Sequence, residues 1–302
     1  MDFLSPATLG EALAVKAQHP SAVPIAGGTD VMVEINFDVR RPDALLDLNR
    51  IGELTEFGRD GDIVRVGACV PYASIIAGLG GLLPGLAMAA RTIGSPQIRN
   101  RGTVGGNLGA ASPAGDTHPV LLACDAVIEA ASVRGTRLIP ATAFYTGPKR
   151  SVLEPDELIT AIRIARTAGP QQFAKVGTRN AMVIAVCSFA LALWPEGRPA
   201  RPASAAGPAS TVGTGIGSAG PVPLAAAAAE EFLAAELASS GLWASGRPLP
   251  ASVAGRFGEL VAAAARPIDD VRGTAGYRRH ALSVLARRTA GWAWDSYRKV
   301  AA

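Results

Sequence analysis

The chain has 302 residues, of which 49% are hydrophobic and 18% charged, and its net charge is +4. This composition is typical of a folded globular protein with room for two or three packed units, and it excludes an intrinsically disordered chain. Because the net charge is small and the basic residues are spread along the chain, the composition gives little support to nucleic-acid binding.

The cysteines and histidines are too scattered to predict a metal site or an iron–sulfur cluster in this chain. They are Cys69, Cys124, Cys187, His19, His118 and His280. The N-terminus lacks the basic and apolar segments of a signal peptide, and no uncharged apolar run reaches about 18 residues. We therefore expect a cytoplasmic protein that does not span a membrane.

In the first half of the chain, short helices alternate with short strands. Thr8, with Glu11 three residues later, has the capping-box spacing and predicts a helix over 8–17. Apolar runs predict strands at 22–25, 44–48, 63–66, 126–130 and 157–164, and helices at 72–77, 86–92 and 119–124. Residues 134–137 read as a hairpin turn, and 31–35 fit a helix or a strand equally well.

Beyond Gly169 and Pro170, which interrupt the pattern, we expect a separate sheet backed by helices. Strands are predicted at 173–176 and 185–193, a long loop at 198–220, and helices at 223–239, 253–265 and 277–292. The whole pattern is that of an α+β protein.

The stretch 99–119 is the strongest candidate for a functional site. It is rich in glycine and short polar side chains, among them Thr103 and Asn107, and it contains one carboxylate, Asp116. We read it as a loop, because glycine lets a ligand approach bare backbone N–H groups, which bind phosphate oxygens. Asp116 would accept a hydrogen bond from a ribose hydroxyl.

A second stretch has the same character and follows an apolar strand. It consists of Pro24, Ile25, Ala26, Gly27, Gly28, Thr29, Asp30 and Val31. Alone it is a common Gly-Gly turn, but a dinucleotide needs both a pyrophosphate site and nucleoside contacts. We therefore expect the two loops to hold one ligand between them.

Residues 215–220 match the G-x-G-x-x-G dinucleotide fingerprint, but their context argues against it. A Pro-, Ala- and Ser-rich segment precedes them where the fingerprint requires a strand, and two prolines follow. A Rossmann site is therefore not expected here.

For several other residues the sequence allows either a purely structural role or a role in binding. Lys175 is either a solvated lysine or faces a ligand, and His118 is most simply structural. The aromatic residues near the C-terminus cover a helix interface or meet a partner subunit, and the nearby arginines form a solvated helix face or dock an acidic partner. These residues are Trp292, Trp294, Tyr297, Arg278, Arg279, Arg287 and Arg288. No catalytic side chain stands out, so a bound cofactor would perform any chemistry.

Several motifs together resemble the FAD-binding medium subunit of the molybdenum hydroxylases, the xanthine dehydrogenase and carbon monoxide dehydrogenase family. The residues of these motifs are most similar to those of bacterial xanthine dehydrogenases. The motifs cover nearly the whole chain and are FLxPxTLxEAL at 3–13, AGGTD at 26–30, TVGGN at 103–107, ASPxxD at 111–116, FAKVGxRN at 173–180 and DDVRGxAxYRRH at 269–280.

The resemblance implies a two-subdomain FAD-binding fold of vanillyl-alcohol-oxidase (PCMH) type plus a C-terminal antiparallel sheet with helices. The expected domains are 1–55 and 56–168 for the two FAD-binding subdomains and 169–302 for the C-terminal domain.

The same resemblance implies the cofactor contacts. Residues 24–31 would wrap the FAD pyrophosphate through backbone amides, with only backbone roles for Gly28 and Asp30, where other family members carry different residues. Asp116 would hold the adenosine end, Lys175 would lie near the flavin, and either Ile159 or Thr160 would make a backbone contact. The residues expected to line the flavin and phosphates are Thr103, Gly106, Asn107 and Ala110.

By resemblance, a large partner subunit hydroxylates the substrate at a molybdenum cofactor, and a small partner carries two [2Fe-2S] clusters. Electrons then reach FAD in this chain and pass to NAD+ or another acceptor, in an assembly expected to be a dimer of heterotrimers. Xanthine or another purine is the favoured substrate. The alternatives are CO, a nicotine-like N-heterocycle or an aldehyde as substrate, a self-contained flavin oxidoreductase, and a non-redox nucleotide-binding or assembly module.

Overall fold

The computed structural model describes residues 1–198 and 210–301. The strands are β1 (Asp2–Leu4), β2 (Val23–Ile25), β3 (Ala44–Asp47), β4 (Phe57–Asp60), β5 (Ile63–Gly67), β6 (Val127–Ser132), β7 (Gly135–Pro140), β8 (Tyr145–Gly147), β9 (Arg150–Ser151), β10 (Leu158–Ala165), β11 (Gln171–Val176), β12 (Cys187–Leu193) and β13 (Val212–Gly217). The helices are α1 (Leu9–Gln18), α2 (Val31–Asn36), α3 (Tyr72–Gly78), α4 (Pro84–Arg91), α5 (Pro96–Arg101), α6 (Val104–Ala110), α7 (His118–Ala123), α8 (Ala141–Phe144), α9 (Ala227–Ser239), α10 (Leu242–Ser245), α11 (Ala251–Ala264) and α12 (Ala275–Ala301). The predicted α+β class is confirmed.

The first unit is a parallel three-stranded sheet in the order β1-β3-β2, with helix α1 beside it. Helix α1 begins at the predicted capping box, because the Thr8 hydroxyl accepts from the Glu11 N–H at 3.2 Å and the Glu11 carboxylate accepts from the Ala7 N–H at 2.8 Å. Ala12 of α1 and Leu46 of β3 are fully buried in its core. The segment that fitted both helix and strand is helix α2.

The second unit is an antiparallel five-stranded sheet in the order β4-β5-β10-β6-β7. Its core contains Ile162 of β10, Phe144 of α8 and Leu86 of α4, all buried. Strands β6 and β7 form the hairpin predicted at 134–137. Strands β8 and β9 form a short hairpin, and Lys149 in its turn lines a large cleft.

The third unit is the antiparallel sheet β11-β12-β13, covered by helices α9, α11 and α12. Strand β12 is central and buried at every position. Phe189 of β12 meets Phe257 of α11 edge to face, with ring centroids 6.0 Å apart. The predicted sheet backed by helices is therefore present.

The loop predicted at 198–220 is wrong over its last part, where strand β13 runs from Val212 to Gly217. Its glycines let helix α7 pack directly on the strand backbone, since a Cβ at Gly213 or Gly215 would overlap a backbone carbonyl oxygen of α7. These glycines therefore serve a helix–strand contact in an antiparallel sheet and form no Rossmann turn. Residues 199–209 of the predicted loop lie outside the described residues.

Two predicted helices have other bounds in the structure. Helix α9 begins at Ala227 and not at residue 223, because Leu224 pairs with Ile216 of β13 through hydrogen bonds of 2.7 and 3.1 Å. Helix α12 is 27 residues long and extends the prediction at both ends. Among the described residues, no helix combines the length and the hydrophobicity that crossing a bilayer requires.

Candidate cofactor-binding cleft

A large cleft lies between the first and second units, with part of the third unit at its rim. Its volume is about 1090 Å³, larger than the roughly 300–1,000 Å³ of pockets that take drug-sized ligands. Both glycine-rich stretches line it, together with Met182, Val183 and Ile184 from the segment between β11 and β12. The cleft therefore has the size and the backbone-rich lining that suit a dinucleotide.

Gly27 brings the two glycine-rich stretches together. A Cβ at this position would overlap the backbone carbonyl of Arg101, so the loop after β2 touches the backbone that leads into α6. Asn49 strengthens this junction, because its side-chain amide donates to the Ala26 carbonyl at 2.8 Å and its oxygen accepts from Arg101 at 3.4 Å. The predicted approach of the two stretches is therefore present in the fold.

The segment 27–31 lines the cleft and has unpaired backbone donors. Within the described residues, none of its backbone N–H groups has a hydrogen-bond acceptor, and all five residues line the cleft. Gly28 has a φ of +74°, a left-handed conformation that glycine adopts without strain. Successive unpaired N–H groups of this kind fit the oxygens of a pyrophosphate.

The stretch predicted as a loop at 99–119 is in fact mostly short helices. Thr103 caps α6, its hydroxyl accepting from the Gly106 N–H at 2.9 Å. Gly105 allows α6 to touch the backbone of Ala68, since a Cβ there would lie about 2.5 Å from the Ala68 carbonyl oxygen. Asn107 accepts from the Thr117 hydroxyl at 2.7 Å and lines the cleft.

Asp116 and Lys175 form a buried ion pair beside the cleft. The Lys175 ammonium donates to Asp116 Oδ2 at 2.6 Å, to the Thr92 carbonyl at 3.0 Å and to the Val183 carbonyl at 3.1 Å. Burial raises the pKa of Asp116, and the Lys175 charge opposes that shift. Asp116 Oδ1 is buried without a partner among the described residues.

Fourteen of the fifteen predicted site residues line the cleft, and Lys175 is the exception. Its ammonium group donates three hydrogen bonds to protein oxygens, and these bonds hold Asp116 and the Val183 segment in position beside the cleft. Of the two alternatives on β10, Ile159 lines the cleft, whereas the Thr160 carbonyl accepts from the Ala68 N–H at 3.0 Å.

His118 has the structural role expected of it. Its ring is fully buried as the first residue of α7, and its Nδ1 lies 2.7 Å from the Tyr145 hydroxyl. Burial lowers its pKa to about 3, so the ring is neutral at physiological pH.

Sequence reasoning missed one ion pair at the cleft mouth. Lys149, at the turn between β8 and β9, donates to Glu34 of α2 at 2.7 Å, and both residues line the cleft. This pair connects the second unit to the first across a sequence distance of 115 residues. No local pattern in the sequence reports such a contact, because neither residue belongs to a glycine-rich stretch.

The C-terminal aromatic and basic residues divide into buried and exposed sets. Trp294 and Tyr297 pack with Trp243 at the interface of α10 and α12, and Trp292 is 47% exposed. The expectation of a solvated face is wrong for Arg278, which is 3% exposed and bonded to Asp270 and Ser218. Arg279, Arg287 and Arg288 are exposed.

Comparison with known proteins agrees with this architecture. Residues 1–167 match the family described as FAD binding domain in molybdopterin dehydrogenase, and residues 172–293 match the CO dehydrogenase flavoprotein C-terminal domain. The chain superposes on carbon monoxide dehydrogenase of Hydrogenophaga pseudoflava with a TM-score of 0.83 and 26% identity, over 97% of this chain and 98% of that one. The chain also superposes on a solved carbon monoxide dehydrogenase of Oligotropha carboxidovorans with a TM-score of 0.84 and 26% identity, over 98% of both chains.

Curated relatives are similar over a shorter length. The nicotinate dehydrogenase FAD-subunit of Eubacterium barkeri is 35% identical over 64% of this chain and 68% of its own length. The xanthine dehydrogenase FAD-binding subunit of Escherichia coli O157:H7 is 34% identical over 58% of this chain and 59% of its own length.

The fold and the cleft define an FAD-binding protein of PCMH type with a C-terminal antiparallel sheet, as predicted. The chain belongs to the family of FAD-binding subunits of the molybdenum hydroxylases, a family of oxidoreductase subunits. The predicted cofactors are confirmed at the level of the family, in which FAD belongs to this kind of chain and molybdopterin and [2Fe-2S] clusters to its partner chains.

Proposed function

We propose that this chain is the electron-transfer subunit of a heteromeric molybdenum hydroxylase, in which it holds FAD in the cleft described above. The observation that carries the proposal is the run of unpaired N–H groups at 27–31, in a segment that lines a cleft of about 1090 Å³ together with the 103–116 stretch. When bound, FAD would take up electrons one at a time and release them as a pair.

In this proposal each lining segment has a distinct task. The amides of 24–31 hold the pyrophosphate, and Asp116 binds at the adenosine end. Lys175 holds the Asp116 carboxylate in place through its 2.6 Å contact, so it acts on the cofactor through Asp116. Thr103, Gly106, Asn107, Ala110 and Ile159 shape the remaining wall.

We further propose that the three units correspond to domains at 1–55, 56–168 and 169–302. The partners would be a large molybdenum-cofactor subunit and a small [2Fe-2S] subunit, assembled in the cytoplasm as a dimer of heterotrimers. These partners would supply the electrons, and NAD+ or another acceptor would take them.

Xanthine or another purine is our first choice of substrate, on the sequence resemblance quoted above. An N-heterocycle such as nicotinate is the second, because the nicotinate dehydrogenase FAD-subunit is as similar to this chain as the xanthine dehydrogenase subunit is. The discriminating experiment is oxidation of xanthine, nicotinate, CO and an aldehyde by the complex isolated from its native host. Activity with xanthine alone supports the first choice, and activity with nicotinate alone rejects it.

The proposed function is tested by the absorbance of the purified chain, followed by NADH under anaerobic conditions. We expect flavin bands that NADH bleaches. If the flavin bands are present but NADH does not bleach them, the chain binds flavin and NAD+ is rejected as its acceptor. A chain that remains colourless after incubation with FAD would reject the flavin role and favour a non-redox nucleotide-binding module.

A further inference from the structure

The connection between β2 and β3 is the most loosely packed part of the first unit. No residue from 24 to 43 is buried, although this stretch contains helix α2. The apolar side chains of α2 belong to none of the three cores that the described residues form, and Val33 and Phe37 are 50% and 78% exposed. Because moving this stretch exposes little apolar surface, local opening costs little free energy.

The two ends of this stretch are fixed to the rest of the fold. At one end the Ala26 carbonyl accepts from the Asn49 side-chain amide at 2.8 Å, and at the other the Asp43 carbonyl accepts from the Asp2 N–H at 2.7 Å. We call the residues between these ends, 28–42, the lid segment. Its residues that line the cleft are 28–31, Glu34, Val39 and Arg40.

One ion pair connects the lid segment to the second unit. Lys149 Nζ donates to Glu34 Oε1 at 2.7 Å. Among the described residues, this is the one hydrogen bond or ion pair that joins the lid segment to any residue outside it. The other Glu34 oxygen lies 3.8 Å from the Arg40 guanidinium, which belongs to the lid segment itself.

The residue on the other side of this pair has a fixed backbone. The Lys149 N–H donates to the Ala111 carbonyl, directly after helix α6, at 3.1 Å. The Lys149 side chain is 61% exposed and that of Glu34 20%, so the pair lies where solvent reaches it. Lys149 therefore holds a loosely packed segment from an ordered hairpin, through a contact that can break without disturbing a core.

We propose that the lid segment opens and closes the cofactor cleft and that the Lys149–Glu34 ion pair is its latch. This inference rests on the proposed function, since the lid would close over FAD, and it adds what controls entry and release of the cofactor. With the latch closed, the N–H groups at 27–31 stay at the cleft wall. With the latch broken, the lid segment moves away more often. Lys149 and Glu34 are positioning residues, because they act through the lid segment.

The first test measures lid opening in the full-length chain without cofactor. Hydrogen exchange followed by mass spectrometry reports the backbone amides of 31–40 in Lys149→Met, Glu34→Gln and the double variant. The matched control is Arg134→Met, which removes an ion pair with Asp156 of similar side-chain exposure, 60% and 16%, at a residue that does not line the cleft.

We expect exchange at 31–40 to be about twofold to fivefold faster in each single variant, as suits the loss of an exposed ion pair. The double variant should exchange no faster than the single variants, because all three lose the same contact. Lys149→Arg should keep the original rate, and the control should leave 31–40 unchanged.

The second test measures release of FAD from the loaded chain by the change in flavin fluorescence after dilution. We expect release to be about twofold to fivefold faster in both single variants, at an unchanged thermal midpoint. Raising the salt concentration should bring the release rate of the unaltered chain towards that of the variants, because the latch is a contact between charges.

Unchanged exchange and unchanged release in both single variants would overturn the inference. Faster release in Lys149→Met, with no effect of Glu34→Gln, would also overturn it and make Lys149 a direct contact of the cofactor. Failure of the proposed function is a separate result, an unaltered chain that takes up no FAD. The exchange measurement needs no cofactor, so it decides on the latch even then.

Discussion

Gly27 shows how one missing side chain shapes the cleft. A Cβ at this position would overlap the Arg101 carbonyl oxygen, so Gly27→Ala would push the 24–31 segment away from the 103–116 stretch. We expect FAD affinity to fall about tenfold or more, with a lower thermal midpoint, since overpacking costs about 1–3 kcal/mol. Flavin absorbance per chain and thermal unfolding measure both effects.

Gly10→Ala is the matched control for this change. A Cβ at Gly10 would meet nothing within 4 Å on helix α1, and alanine in a helix gains roughly 0.5–1 kcal/mol over glycine. Equal FAD affinity in the two variants would contradict the role given to Gly27.

His118 makes the stability of the chain depend on pH. Its pKa is lowered to about 3 in the fold. Between about pH 6.5 and pH 3 the His118 ring is therefore protonated in the unfolded chain and neutral in the folded chain. The free energy of unfolding should therefore fall by about 1.4 kcal/mol per pH unit as the pH drops through that window.

His118→Asn removes the titrating ring and keeps a polar atom near the Tyr145 hydroxyl. We expect urea unfolding of this variant to show a shallower fall between pH 6.5 and 5 than the unaltered chain does. Parallel curves for the two proteins would show that His118 does not cause the slope.

Local residue patterns predicted some of the site and missed the rest for a physical reason. The Thr8 capping box and the position of both glycine-rich stretches on the cleft follow from neighbouring residues, because caps and turns are local. The Asp116–Lys175 pair joins residues 59 positions apart, so only the packing of β11 against the second unit brings them together.

At the scale of elements, β13 depends on having no side chains where α7 crosses it. A Cβ at Gly215 would overlap the Pro119 carbonyl oxygen, so Gly215→Ala should separate α7 from the sheet. We expect a loss of about 1–3 kcal/mol in the free energy of unfolding, measured by chemical denaturation. In Gly255→Ala on α11 the new Cβ meets nothing within 4 Å, and this control should not be destabilised.

The same strand explains why sequence reasoning predicted a loop there. Alternating glycines between prolines and serines have low strand propensity, and the packing of α7 on the backbone of β13 overrides it. Helix α6 was missed for a similar reason. Its glycines lower helix propensity, yet the Thr103 cap and the contact of Gly105 with Ala68 stabilise it.

At the scale of the whole molecule, bound FAD would add to the contacts that join the first and second units, among them the packing of Leu158 of β10 in the core of the first unit. The Lys149–Glu34 pair is 61% and 20% exposed at its two side chains, and exposed pairs contribute only about 0.2–1 kcal/mol. At 100 times its dissociation constant, FAD should add about 2.7 kcal/mol and raise the thermal midpoint by roughly 5 °C or more. A riboflavin control, which lacks the pyrophosphate, should give a smaller shift.

The Lys175 ammonium joins four segments at one point: the end of α4 through Thr92, the Asp116 stretch, β11 and the Val183 segment. Two of these segments belong to the C-terminal unit, so the wall of the cleft is completed by chain beyond residue 168. The units are therefore poor modules for exchange between relatives. A chimera that takes its first 168 residues from this chain inherits a buried carboxylate, and it is viable only with a donor that supplies the matching lysine.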